Sequence, residues 1–222
     1  MNTRVISTNI AIPRDNAART YSHTGIDKRP TESISVSAPG PNYGDGSGVQ
    51  GDFVGDSQHH GGMDKAVYAF AREELNFWQD QLGKELTNGS FGENLTTHGI
   101  DLSNLVINQR IRIGSAVLEV SVPRTPCATF AAWLDEKGWV KLFTNRGNCG
   151  SYFRIVNPGT IAPNDEIFID KAPAHGVTMA EAFAVKMGSK AKLEKVVNAH
   201  CLPGHHHEQL ANRLNRMNGR SK

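Results

Sequence analysis

No sign of charge dominates this chain. Its 222 residues carry 24 Lys and Arg against 22 Asp and Glu, a formal net charge of +2. Such a balance supplies no whole-protein field to draw nucleic acid or an anionic membrane, so any anion site has to be local. Long apolar runs are missing too, since nothing approaches the roughly 20 residues that span a bilayer. The stretch from Met1 to Ile12 has neither the apolar core of a secretory signal nor an Arg-rich amphipathic pattern. These absences lead to the expectation of a cytoplasmic protein with no membrane or nucleic-acid partner.

Cysteine is scarce. Cys127, Cys149 and Cys201 form an odd set without close pairing, which argues against a disulfide framework and against a zinc-finger cage. Each therefore weighs as a single thiol. No cysteine run has ferredoxin spacing and no Gly-x-Gly-x-x-Gly follows a strand, so the sequence offers no iron–sulfur cluster or dinucleotide site of its own. Internal repeats are absent as well.

What is present reads as a β-rich body with a helical tail. Residues 3–11 and 33–38 are β-branched and strand-like, separated by the polar run His23-Thr24-Gly25-Ile26-Asp27-Lys28-Arg29-Pro30, which reads as a loop. Residues 39–55 are rich in turn formers. Between 64 and 83 the apolar positions Val67, Phe70, Ala71, Leu75, Trp78 and Leu82 fall at three-four spacing, which predicts one helix. Residues 107–122 alternate around Gly114-Ser115 as a hairpin. A short helical stretch is expected near 130–143, with strands at 151–156 and 166–169. After Ala172-Pro173, the run Thr178-Met179-Ala180-Glu181 fits a capping box, and three short helices are expected from there on.

Four segments carry candidate chemistry. In Gln58-His59-His60-Gly61-Gly62-Met63-Asp64-Lys65, the glycines permit close approach of a ligand. A helix starting just after would favour an anion, His60 could donate to a phosphate or oxo group, and Lys65 could supply a point charge. The same residues also read as a glycine turn with a surface lysine. In Gly92-Glu93-Asn94, adjacent acceptors and amide donors suit the edge of a heterocycle, or simply a turn. In Val122-Pro123-Arg124-Thr125-Pro126-Cys127, two prolines stiffen a segment that presents a thiol. Arg124 beside it would favour the thiolate, the form that is both nucleophile and soft metal ligand. An inert, packed cysteine remains the alternative. In Asn145-Arg146-Gly147-Asn148-Cys149-Gly150, Arg146 offers a second anion contact and Cys149 a rival thiol. The run His205-His206-His207-Glu208 points in several directions around a helix and has no identifiable partner ligand, so it reads as a solvated helix start.

Taken in order, Thr24-Gly25-Ile26-Asp27-Lys28-Arg29-Pro30, His60-Gly61-Gly62-Met63-Asp64-Lys65-Ala66-Val67, Gly92-Glu93-Asn94-Leu95-Thr96 and Pro123-Arg124-Thr125-Pro126-Cys127 resemble the MOSC family, named for the C-terminus of molybdenum cofactor sulfurase. The resemblance runs on through Arg146-Gly147 and Tyr152 to Arg154, and the tail resembles the three-helix segment of one bacterial subfamily. It implies an α+β fold, mainly β: a barrel-like domain with peripheral helices over residues 1–172, then a C-terminal helical segment over 173–222. It also implies a pyranopterin molybdenum cofactor with Cys127 as catalytic group and metal ligand. Lys28, Arg29, Lys65, Arg124 and Arg146 would neutralise the cofactor's charge, with His60, Gly61, Gly62, Glu93 and Asn94 as further cofactor contacts.

The activity the resemblance implies is reduction of N-hydroxylated compounds such as hydroxylaminopurine, a detoxification of base analogues. Electrons would come from a separate flavin or iron–sulfur reductase, for which the helical tail is a candidate docking surface, and the protein would be a monomer or homodimer. A second class is a carrier of the cofactor or of a Cys127 persulfide, since MOSC domains also occur in the sulfurase. The sequence shows no pyridoxal-phosphate domain, which leads to the expectation that this chain alone is not a sulfurase. A third is an interaction protein that lost its chemistry, which the retained His-Gly-Gly and Pro-Cys segments argue against.

Overall fold

A computed structural model of the chain describes residues 3–219; the outermost residues of the two expected segments, 1–2 and 220–222, lie outside it. Strand β1 (Arg4–Ala11) runs through the short pair β2 (Arg14–Asp15) and β3 (His23–Thr24) into β4 (Lys28–Thr31). There the chain folds back antiparallel on β1, with Ile10 opposite Arg29. The polar run expected to be a loop is thus partly strand. Pro30 is tolerated because β4 is the edge of its sheet and no further strand needs the missing N–H. Strand β5 (Ile34–Val36) follows, and the glycine-rich segment after it ends in one 3-10 turn over Met63–Lys65.

The single helix expected over 64–83 is two elements: strand β6 (Val67–Ala71) and helix α1 (Arg72–Leu82). Five consecutive buried residues mark a strand covered on both faces. It lies parallel to β7 (Leu95–His98), with Phe70 opposite Thr96. Three-four spacing is real only within α1, where Leu75 and Trp78 face the core and Gly83, at φ 61°, closes the C-terminus. One consequence corrects the sequence reading: the His60–Lys65 segment leads into a strand, so no helix dipole favours an anion there.

The expected hairpin is β8 (Arg110–Ile113) and β9 (Ala116–Val120) across Gly114-Ser115. Two helices, α2 (Ala128–Leu134) and α3 (Trp139–Arg146), occupy the region where one helical stretch was expected. Strands β10 (Ser151–Asn157), β11 (Gly159–Ile161) and β12 (Ile167–Ile169) complete the body. Eight strands form one curled sheet in the order β12-β8-β9-β10-β6-β7-β1-β4, while β5 and β11 pair separately. Phe70 of β6 packs with Phe91 and Phe143, and Phe130 and Trp139 join the same buried cluster, with Trp139 meeting Phe130 at 5.0 Å between ring centroids and Trp78 at 4.6 Å.

The tail is α4 (Met179–Lys186), α5 (Leu193–Asn198) and α6 (Gly204–Gly219). The capping box at Thr178 and Glu181 is formed in both directions. The tail is stitched to the body: Ile107 donates its backbone N–H to Val177, Met179 donates to Leu105, and Asn108 Nδ2 reaches the Cys201 carbonyl at 3.0 Å. Phe183 also sits edge-on to Phe143. The fold is mixed α+β with a half-barrel sheet.

Candidate functional site

The sheet's curl and the glycine-rich loops enclose a cleft of about 650 Å³, counting its solvent-open part. Cys127 stands in its wall as the residue preceding α2, partly exposed and extended at φ −132° and ψ 172°. Its carbonyl accepts from Ala131 N, starting the helix, and its side chain makes no cap bond. The sulfur therefore serves no structural hydrogen bond in the helix start.

Arg124 is buried, with 6% of its surface exposed, and also lines the cleft. Its guanidinium lies 3.8 Å from the Phe130 ring centroid and 5.4 Å from that of Tyr68, and Nη1 has no hydrogen-bond partner among the described residues. A buried guanidinium without an anion is costly, since leaving one partner of a buried ion pair unmatched costs several kcal/mol (about 3–5). This orphaned donor is what a bound phosphate or other anion would satisfy.

Lys28 and Asp52 form a buried pair, with Nζ 2.5 Å from both carboxylate oxygens. Asp52 also accepts from Ala11 N, Ser47 Oγ and Asn94 Nδ2. Burial is the largest influence and would raise its pKa, but the charge and hydrogen bond of Lys28, with the hydrogen bonds from Asn94 and Ala11, together hold the carboxyl below its ordinary range. Burial lowers that of Lys28 in spite of Asp52. Asn94, on the cleft wall, is fixed by accepting from Tyr68 N and donating to Asp52.

Lys65 donates to the His59 carbonyl at 2.6 Å and has its ammonium 4.6 Å from the Tyr43 ring centroid and 5.8 Å from that of Tyr152. Burial lowers its pKa to about 8. His60 faces Tyr152 Oη at 3.4 Å. Burial first, then Lys65 and Arg124, lower its pKa to about 3, so the ring is neutral and has one nitrogen free to accept. Folding stability should then be complete above about pH 6.5 and fall as pH drops toward 3, because the unfolded chain takes up a proton that folded His60 refuses. Urea titrations across that range should show His60→Gln flattening part of the slope; an unchanged slope would place the acid sensitivity elsewhere.

The structure brings Lys28, His60, Gly61, Lys65, Asn94, Arg124 and Cys127 to one cleft. Arg29, Glu93 and Arg146 go elsewhere. Arg29 is half exposed and pairs with Asp27 at 2.7 Å, and Arg14 pairs with the same carboxylate. Glu93 is buried and accepts from Gly89 N, Phe91 N and Thr96 Oγ1, so its carboxylate builds its own turn. Arg146 is taken by Glu74 at 2.7 Å and lies over Phe77. The two glycines serve loop packing: a Cβ on Gly61 would sit 2.7 Å from the Gly46 carbonyl oxygen, and one on Gly62 2.2 Å from that of Asn42. Of the two, only Gly61 touches the cleft.

Cys149 is buried, its thiol reaches the Gly150 carbonyl, and burial pushes its pKa up to about 12. It is the inert thiol. Sequence reasoning missed Tyr21, Asp52, Tyr68 and Thr129, which also line the cleft, as does Tyr152, which the family resemblance included without a site role. Asp52 belongs to no motif; it stands only as a carboxylate inside a glycine-rich stretch. The triple histidine starts α6, yet His206 is buried rather than solvated. Among the described residues no three His, Cys, Asp or Glu side chains converge as a metal cage, and no helix is long and apolar enough to cross a membrane.

Similar proteins exist. An uncharacterized protein, YflK of Bacillus subtilis, is 35% identical over 156 residues, 70% of this chain and 67% of that protein. A protein named reductase from Gibberella moniliformis is 30% identical over 138 residues, 60% of this chain but only 24% of its own length. In fold, the crystal structure of YiiM from Geobacillus stearothermophilus superposes with a TM-score of 0.75 at 24% identity, over 96% of this chain and 99% of that one. The sequence profile of the MOSC domain matches residues 56–168, the span from the His-Gly-Gly loop through the Cys127 segment to the last sheet strand. With cleft, motif order and sheet in agreement, the chain belongs to the MOSC domain family.

Proposed function

We propose that the cleft holds a pyranopterin molybdenum cofactor and that the protein reduces N-hydroxylated compounds, with hydroxylaminopurine as a representative substrate. The observation that carries this reading is the Arg124 guanidinium, buried and lacking a partner at Nη1, three residues before the Cys127 thiol in one cleft wall. An anionic group would satisfy the first, and a soft metal the second. Lys65 and Arg124 would bind the cofactor's negative charge, Asn94 and neutral His60 would orient it, and Cys127 would ligate the metal. When bound, the cofactor supplies two-electron redox chemistry. Overall, R–NHOH, two electrons and two protons give R–NH2 and water. Lys65, holding a proton at Nζ up to about pH 8, is the cleft group placed to keep the site charged while those protons are consumed. The electrons come from a separate flavin or iron–sulfur donor. The reductase name of the fungal relative supports the oxidoreductase class.

The test is protein made in a cofactor-competent host, assayed for hydroxylaminopurine reduction with a reduced viologen dye. Turnover that scales with molybdenum content is expected. Molybdenum-loaded protein that shows no turnover with any electron donor would reject the reductase and favour a carrier.

A further inference from the structure

The C-terminal segment reaches the cleft through one tyrosine. Tyr43 stands in the glycine-rich loop, and that loop is laced to the His-Gly-Gly segment by three backbone hydrogen bonds: Gly44 N to His60 O, Gly62 N to Gly46 O, and Met63 N to Gly40 O. The Tyr43 hydroxyl meets two imidazoles at the start of α6, His205 Nε2 at 2.7 Å and His206 Nε2 at 3.0 Å, and the His205 ring packs edge-on against it. Behind them, Lys186 Nζ contacts His206 Nδ1.

Donor and acceptor chemistry orders this chain. An ammonium can only donate, so His206 Nδ1 accepts from Lys186 and its Nε2 carries the hydrogen toward Tyr43. The phenol then has its own hydrogen left for His205 Nε2. Burial keeps His206 neutral, as that assignment requires. The Tyr43 ring also bears the Lys65 ammonium, 4.6 Å from its centroid.

We infer that the C-terminal helical segment is a working part of the cleft: His205 and His206 clamp Tyr43, and Tyr43 fixes the Lys65 ammonium where it meets an anion. Tyr43 and His205 are positioning residues, acting only through Lys65. The inference rests on the reading of Lys65 as an anion contact, and it gives the tail a role besides any docking of a redox partner.

Inorganic pyrophosphate binding to the cofactor-free protein, followed by calorimetry, tests it. Lys65→Met is expected to weaken binding about tenfold, the scale of one lost charge-assisted contact. Tyr43→Phe keeps the ring but loses the clamp and should weaken binding about threefold, as should His205→Ala. His205→Gln, whose side-chain carbonyl can still accept from Tyr43, should bind like the wild type. In a Lys65→Met background neither Tyr43→Phe nor His205→Ala should weaken binding further, a coupling that general loosening of the fold would not produce. Pyrophosphate binding that is absent or indifferent to Lys65, single variants without effect, or losses that persist in the Lys65→Met background would each overturn the clamp. Since no molybdenum is involved, failure of the reductase reading leaves this result standing, and the reverse holds too.

Discussion

Cys127→Ser, produced beside the wild type in a cofactor-competent host, is expected to purify with its molybdenum content reduced at least tenfold, about the loss that follows from disturbing even an outer partner of a metal ligand. With both proteins in cofactor-free form, its thermal midpoint should differ by no more than about 2 °C, since a partly exposed side chain with no hydrogen bond is worth within about 0.5 kcal/mol and a bound cofactor would itself raise the midpoint. The two readouts together separate a ligand from a structural residue. A hydroxyl is close in size to a thiol but is a hard donor, poorly suited to a metal that prefers sulfur. Neither other cysteine can take over. Cys149 is sealed in the core with its pKa pushed up to about 12, and Cys201 is buried within the tail, between α5 and α6, with its own raised by burial. Cys149→Ala therefore serves as the control and should keep its molybdenum. Metal retained in full by Cys127→Ser, measured by plasma emission on the purified protein, would remove Cys127 from the coordination sphere.

Much of this was legible in the sequence because local signals and the fold agree. The β8–β9 hairpin, the capping box at Thr178 and the strand over Ser151–Asn157 each rest on neighbours in the chain. The missed strand β6 shows where that agreement ends. Val67, Phe70 and Ala71 fit a helical stripe as well as a strand, and only burial of Tyr68 and Ala69 between them, visible in three dimensions, decides for the strand. The site divides in the same way. Arg124 and Cys127 were readable because two prolines advertise a rigid segment, but Arg29 and Arg146 were readable only as positive charges. Their partners Asp27 and Glu74 lie two and 72 residues away, and pairing at the second separation leaves no local trace. Tyr43 and Asp52 carried no motif; the tail's histidines and Lys28, distant in sequence, give them their roles.

Asp52→Asn is expected to destabilise the fold by about 3–5 kcal/mol, the cost of leaving a buried ammonium without its counter-charge. The substitution is nearly isosteric, so packing is preserved and the loss reports on charge. Lys28 is 6% exposed, and among the described residues no other carboxylate bonds its Nζ. The variant should therefore show a lower urea midpoint at unchanged denaturant slope. Replacing both members, as Lys28→Met with Asp52→Leu, should cost less than the sum of the single changes, because the stranded charge is gone. Acid gives an independent reading. With its folded pKa held below that of the unfolded chain, Asp52 contributes stability that is fully present above about pH 4 and is lost as pH falls through the folded value. Asp52→Asn should lack that part of the acid transition. If single and double variants cost the same, the pair is not what holds β4 and the glycine-rich loop together, and the four donors that converge on Asp52, from Lys28, Ala11, Ser47 and Asn94, would have to act independently of its charge.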